Sequence, residues 1–283
     1  MRSASPMNAD EPVHASAARM YDYYLGGTHN FAVDRQRAEE VIALLPITPM
    51  IMRANRQFLR RAVRFCAEQG VNQFLDLGAG IPTEGPVHEV VASVTSDYRV
   101  LYVDSEEAAA VYGREILGSD PRCAFLHADI CDTDAVLDSP EVKGLLDLSQ
   151  PVAILLFSVL QFVPNAADPW GVVARYRDRL AEGSHLALSH ATAEGLQAQS
   201  GDVTAIYSKT DNPIRYRSDE DVYAMFEGFK LVEPGMTRIP EWCRPGNELD
   251  GEYVGKVFGL AGVGVKAGTA SEATGGPGGR VRR

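Results

Sequence analysis

The sequence predicts an α/β sandwich: seven strands alternating with helices, laid out as a doubly wound, mostly parallel sheet behind an N-terminal helical segment. Three observations carry this. Short apolar runs alternate with amphipathic stretches from residue 73 to residue 260. One run, Gln73-Phe74-Leu75-Asp76-Leu77, passes directly into Gly78-Ala79-Gly80, and helical spacing resumes after Pro86 with Val87, Val90 and Val91. Strand, glycine turn and helix in that order open a nucleotide-binding sheet, because glycine lets backbone approach a ligand without a Cβ in the way. Finally, three successive strands end in an acid: Asp76, Asp104 and Asp129.

Composition bounds the rest. The chain has 283 residues, 45% of them hydrophobic, enough for one large α/β domain or two small ones. No apolar run approaches the roughly 18 residues a membrane span needs. Met1-Arg2-Ser3-Ala4-Ser5-Pro6 lacks the apolar core of a signal peptide, which points to a cytoplasmic protein. The net charge of −11 disfavours nucleic acid, whose phosphates call for clustered Lys and Arg. Cys66, Cys123, Cys131 and Cys243 form no C-x-x-C pair, and no His/Cys/carboxylate cluster has ligand spacing, so no metal is expected. The expected partner is a small molecule.

In order along the chain, residues 1–16 are polar, contain Pro6 and Pro12, and are expected to be disordered. Residues 17–70 form a helical cap. Its first helix holds Tyr21, Tyr23 and Tyr24 and stops at Gly26-Gly27. That segment either packs on the domain or acts as a lid whose tyrosines and Asn30 close over a ligand. A helix over Asp34–Leu45 is halted by Pro46. Another, from about Arg53 to Gln69, buries Phe58, Leu59, Ala62, Val63 and Cys66, with its arginines on a solvated face. The sheet domain covers 71–262. Its second strand is Arg99–Asp104, followed by a helix over Glu106–Leu117. The third is Ala124–Asp129, followed by a helix over Asp132–Leu148. The fourth is the apolar run Pro151–Ser158, with a helix over Asp168–Leu180, and the fifth is Ser184–His190. Ser218-x-x-Asp221 is a capping box opening a helix to Phe226. The last strands are Phe229–Val232 and Tyr253–Leu260. Residues 263–283 are glycine-rich and expected to be disordered.

The site residues follow from this layout. A dinucleotide turn would carry a third glycine at position 83, where Thr83 stands, and Asp76 before the first glycine would repel a pyrophosphate. A carboxylate there suits a ligand bearing a cation. S-adenosyl-L-methionine carries a sulfonium and an ammonium and no phosphate, so the pattern favours it over NAD. Asp104, with Ser105 beside it, falls close to the distance at which a ribose-binding acid is expected. Asp129 is placed to meet the adenine amino group, with Ile130 against the ring. Ser158, at the exit of the fourth strand, borders the transferred methyl group. Any one of the acids serves equally as a turn or cap residue. The ordered triple along one sheet edge is the signal.

Several stretches resemble a known family. Arg19-Met20-Tyr21-Asp22-Tyr23-Tyr24-Leu25-Gly26-Gly27, Asn55-x-x-Phe58-Leu59-Arg60-Arg61-Ala62-Val63 and Phe74-Leu75-Asp76-Leu77-Gly78-x-Gly80-x-Pro82-Thr83 are similar to the actinobacterial-type S-adenosylmethionine-dependent methyltransferases once described only as a domain of unknown function. Tyr102-Val103-Asp104, Phe162-Val163-Pro164 and Leu188-Ser189-His190-Ala191-Thr192 extend the resemblance over roughly residues 17–260. It implies the Rossmann-like class I methyltransferase fold, a three-layer sandwich whose seven-stranded sheet ends in an antiparallel strand. It also implies cofactor binding at Asp76, Gly78, Gly80, Asp104 and Asp129. Thr83, Tyr24 and Asn30 complete the expected cofactor set. Gln161 departs from the histidine the family pattern implies.

Methyl transfer needs orientation, exclusion of water and, for a protonated acceptor, a base. His190, ending the fifth strand on the ligand edge, is the expected base; His88 and His29 are weaker choices. Two other readings stay open: a cofactor-binding protein without catalysis, and an NAD-dependent oxidoreductase.

Overall fold

The computed structural model describes residues 12–192, 194, 200–242 and 254–268. Three helices come first: α1 (Ala17–Tyr24), α2 (Ala32–Leu44) and α3 (Thr48–Glu68). The alternating part follows with β1 (Gln73–Leu77), α4 (Val87–Ala92), β2 (Arg99–Asp104), α5 (Glu107–Leu117), β3 (Cys123–His127), α6 (Thr133–Leu137), α7 (Pro140–Leu145), β4 (Ala153–Phe157), α8 (Pro169–Arg179) and β5 (His185–His190). After these come α9 (Ser200–Tyr207), α10 (Asp219–Ala224), β6 (Phe229–Leu231), the two-residue β7 (Thr237–Arg238) and β8 (Leu260–Lys266).

The sheet runs β3-β2-β1-β4-β5-β8-β6, and β7 pairs with β8 off this path. Strands β1 to β5 are parallel, while β8 enters antiparallel between β5 and β6. This is the expected seven-strand path with an antiparallel last strand, lengthened by the short β7. Strand order reverses at β1, whose neighbours β2 and β4 lead to opposite halves of the sheet. Open α/β sheets bind ligands at that switch point.

Alternation along each strand feeds two cores. Phe74, Val100, Tyr102 and Leu155 pack on one face against Phe58 and Ala62 of α3. Leu75, Leu77, Leu101 and Ile154 pack on the other against Val172 and Tyr176 of α8. Asp76 shares the parity of Phe74, which turns it toward α3. A third, smaller core joins Met20 and Tyr24 of α1, Val41 of α2 and Tyr207 of α9, away from the sheet.

Several sequence expectations change. The last strand lies at 260–266, not 253–260, so the boundary placed at 262 cuts through it. Glycine accounts for the difference: a Cβ on Gly264 would stand 2.9 Å from the Phe229 side chain, so these glycines mark close approach within a strand, not a disordered tail. Most of the expected tail, 269–283, lies outside the described residues. At the other end, Ala15 and Ser16 are buried, and Ser16 caps α1 by accepting from the Arg19 backbone N–H. The disorder expected up to residue 16 therefore does not extend to these two; residues 1–11 lie outside the described set. The single helix expected over 132–148 is two, because Ser139 caps a new helix at Pro140, whose nitrogen has no hydrogen to continue the old one. Helix α9 and strand β7 were not expected.

Candidate active site

A cavity of about 320 Å³ opens at the carboxyl ends of β1 to β4, beneath α1 and α3. Asp76, Gly78, Gly80, Asp104, Ser105, Asp129, Ile130 and Ser158 all line it, as does Tyr24.

The turn after β1 is held by backbone. The Gly78 and Ala79 N–H groups both donate to the Val103 carbonyl, at 2.8 and 3.0 Å. The Gly80 N–H donates to Asp104 Oδ2 at 2.8 Å, and the Glu106 N–H to Asp104 Oδ1 at 2.9 Å. Asp104 thus pins the glycine turn while its remaining lone pairs face the cavity. Gly78 has φ +71, and a Cβ there would collide with the Val159 side chain. Only glycine fits. Asp129 accepts from the Cys131 N–H at 2.8 Å, which fixes its carboxylate at the end of β3.

Asp76 is 5% exposed, and no described group donates to its carboxylate. Burial pushes its pKa up to about 7, with the positive charge of Arg56 opposing and Asp104 adding to the rise. Arg56 stacks over the Tyr21 ring, 5.4 Å from its centroid, and its buried Nε has no partner. A carboxylate and a guanidinium with unused bonding capacity therefore stand at one wall. They fit a ligand carrying both an ammonium and a carboxylate, as the methionyl end of S-adenosyl-L-methionine does.

The expectation that the arginines of α3 form a solvated face fails at Arg56 and at Arg61. Arg61 is buried and donates to the carbonyls of Trp242 and Ile239. Beside them, Asn55 donates to the Tyr21 hydroxyl at 3.1 Å and accepts from the Ser189 hydroxyl at 2.6 Å. Ser189 Oγ lies 3.4 Å from Ser158 Oγ. This chain ties α1, α3, β5 and β4 together at Ser158, whose φ of +57 is strained for a residue with a side chain. A signal for Asn55 was present: it falls within the apolar stripe of α3, where a polar residue needs a partner.

The cap is fastened by two polar knots. Arg19, 5% exposed, donates from Nε to Asp34 Oδ2 at 2.8 Å and pairs with Glu106 two residues past Asp104. Asp22, also buried, accepts from the His29 N–H, the Asn30 amide and the Thr83 hydroxyl at 2.8–3.0 Å. Asn30 and Thr83, both expected on the cofactor, are instead spent on this knot and do not line the cavity. The physical reason is that a buried carboxylate must collect donors, and these two are nearest. Tyr23 points outward and donates to Glu39.

His190, the expected base, lies outside the cavity. It has no exposed surface; Nδ1 donates to the Ala191 carbonyl at 2.6 Å, and Nε2 accepts from Arg217 at 2.8 Å. Burial, partly offset by the Ala191 bond and reinforced by Arg217, pushes its pKa down to about 4. Both nitrogens are engaged, and the ring does not reach the cavity. Arg217 itself donates to the carbonyls of Leu160 and Val163, so the pair braces the loop after β4. His88 bonds the Tyr102 hydroxyl, and His29 packs edge-on against Tyr112. Gln161 lines the cavity and accepts from the Ala191 N–H at 2.9 Å. Among the described residues no cluster could hold a metal ion, and no helix is long and apolar enough to cross a membrane.

No curated protein matches the sequence. The crystal structure of a DUF574 family protein from Streptomyces avermitilis MA-4680 superposes with a TM-score of 0.84 at 36% identity, covering 89% of this chain and 98% of the other. A candidate methyltransferase from Thermobifida fusca YX gives 0.83 at 37% identity, covering 90% and 96%. A plantazolicin methyltransferase solved with S-adenosyl-L-homocysteine shares the fold alone, with a TM-score of 0.52 at 11% identity over 88% of this chain and 95% of that one. The family model described as S-adenosyl methyltransferase matches residues 4–267, and the chain belongs to that family.

Proposed function

We propose that this protein transfers a methyl group from S-adenosyl-L-methionine to a small molecule held between the sheet edge and the helical cap. The observation that carries the reading is the closeness at one wall of a buried carboxylate without donors, Asp76, to the half-buried guanidinium of Arg56, whose buried Nε has no partner. S-adenosyl-L-methionine supplies a methyl group on a sulfonium, already activated for in-line displacement. The chain's own residues orient and shield. Asp104 accepts hydrogen bonds from ribose hydroxyls, and Asp129 from the adenine amino group, with Ile130 against the ring. Asp76 holds the ammonium and Arg56 the carboxylate of the methionyl end. Gly78 and Gly80 let backbone approach, and a Cβ added at Gly80 would stand 3.7 Å from the Ala18 side chain of α1. Helix α1, with Tyr21 over Arg56 and Tyr24 deeper in, serves as the lid that keeps water from the methyl group.

Calorimetric titration of the full chain with S-adenosyl-L-homocysteine, S-adenosyl-L-methionine and NAD tests this. Both sulfur ligands should bind and NAD should not. Asp104→Asn should weaken the sulfur ligands by about 1–3 kcal/mol, because hydrogen bonds to a charged acceptor are lost while the side-chain shape remains. Equal binding by wild type and variant would remove Asp104 from the site. NAD binding alone would favour an oxidoreductase.

A further inference from the structure

Past the sheet edge the cavity enters a compartment of different chemistry, walled by the third core. Tyr24, Val41, Met52, Phe162, Tyr207 and Ile214 form it. Among the described residues five charged side chains reach the cavity: Arg56, Asp76, Asp104, Glu106 and Asp129. All of them stand at the sheet end or on the α3 wall beside it. The compartment under α2 and α9 has none, so an ion entering it would leave water and meet no counter-charge. Three phenols, Tyr24, Tyr207 and Tyr216, are among its polar groups, with Gln161 and Asn212 next to Phe162 and Ile214. The Tyr24 hydroxyl is buried beside that of Tyr207, without a properly directed bond to it or to any other described group. Burial pushes the pKa of Tyr24, Tyr207 and Tyr216 up, so all three remain neutral donors. The Phe162 and Tyr207 rings lie 5.9 Å apart, tilted at 40°, and present aromatic surface to the space.

We propose that this compartment, within the methyltransferase reading on which the inference rests, takes an uncharged, flat ring compound whose carbonyl or ring nitrogen accepts a hydrogen bond from Tyr24 or Tyr207. Apolar walls suit the ring, and the buried, unpartnered Tyr24 hydroxyl selects against analogues that offer no acceptor. In the transfer the acceptor's lone pair forms the new bond to carbon, and the carbon–sulfur pair returns to sulfur. A proton released from the acceptor goes to water, since no described side chain in the compartment is a base.

The test is calorimetry on the full chain saturated with S-adenosyl-L-homocysteine, using three ring probes of similar size: 4-quinolone, 1-naphthoate and 1-naphthylmethylammonium. The neutral 4-quinolone should bind at least about tenfold more tightly than either ion, since an ion in this compartment stays unpaired. Of Tyr24→Phe and Tyr207→Phe, at least the one that removes the donating hydroxyl should weaken 4-quinolone by about three- to tenfold, the loss of one hydrogen bond. Retained S-adenosyl-L-homocysteine binding by Tyr207→Phe shows that its fold is intact. Either ion binding as tightly as 4-quinolone, all three probes failing to bind, or both phenylalanine variants holding 4-quinolone like wild type would overturn the assignment. If S-adenosyl-L-homocysteine does not bind the wild type, the methyltransferase reading falls. The same three probes titrated into the free chain then still decide whether the compartment prefers a neutral ring.

Discussion

At the sheet end of the cavity, position is set by main chain: Gly78 and Ala79 bond the Val103 carbonyl, and Asp104 is fixed by the N–H groups of Gly80 and Glu106. At the cap end it is set by side chains from α1, α2, α3 and α9, which meet at Tyr24, Val41, Met52 and Tyr207. The first end is polar and carries acids; the second is apolar and carries neutral phenols. The difference separates two tasks. In the proposed function, a charged cofactor is met by directional bonds from a rigid turn, whereas the acceptor is met by shape and a few donors on helices. The two ends are joined by Arg19, which bridges Asp34 in the cap to Glu106, two residues past Asp104.

The largest expected effect breaks that joint. Arg19→Ala leaves the fully buried Asp34 without its cation, and should lower stability to urea by about 3–5 kcal/mol. Loss of less than about 1 kcal/mol would mean that cap and sheet hold together through packing alone.

A second effect separates the ends by pH. Asp76 has an ordinary value of 3.8 and is raised to about 7 in the folded chain, so the folded state favours its protonated form. Stability should therefore fall as pH rises from about 4 through 7, and then level. Cofactor binding runs the other way. If the ammonium requires the carboxylate, S-adenosyl-L-homocysteine affinity should rise by up to about tenfold per pH unit between pH 5 and 7. Asp76→Asn should flatten both curves. The 4-quinolone affinity of the cap end should stay level over the same range, and a parallel rise there would show that the two ends titrate together.

The smallest effect concerns His190. Its folded pKa lies near 4, below the ordinary 6.5, so the folded chain needs it neutral, and its contribution is lost as pH falls from about 6.5 toward 4. His190→Gln should blunt that acid loss while changing cofactor affinity less than about twofold. A larger drop in affinity would return His190 to the site.

The sequence alone determined the sheet, its parallel strands, the glycine turn and the three acids at the strand ends. Each of these is local: a period of two, a turn residue with φ > 0, or an acid at the end of an apolar run, all written within a few consecutive residues. The capping box at Ser218 and Asp221 was legible for the same reason and stands as expected. Tertiary structure decided the rest. Asn30 and Thr83 had the right chemistry for a cofactor, but only the fold brings them to Asp22, eight and sixty-one positions away. His190 ends a strand on the correct edge, yet Arg217 arrives from 27 residues on and takes its free nitrogen. Arg56 reads as one of several helix arginines until α3 lies across β1 and sets it near Asp76. The glycines of β8 read as a loose tail until Phe226 and Phe229 occupy the space above them. A side chain's partner is chosen by which surfaces meet, and surfaces meet across long stretches of chain. No periodicity records that.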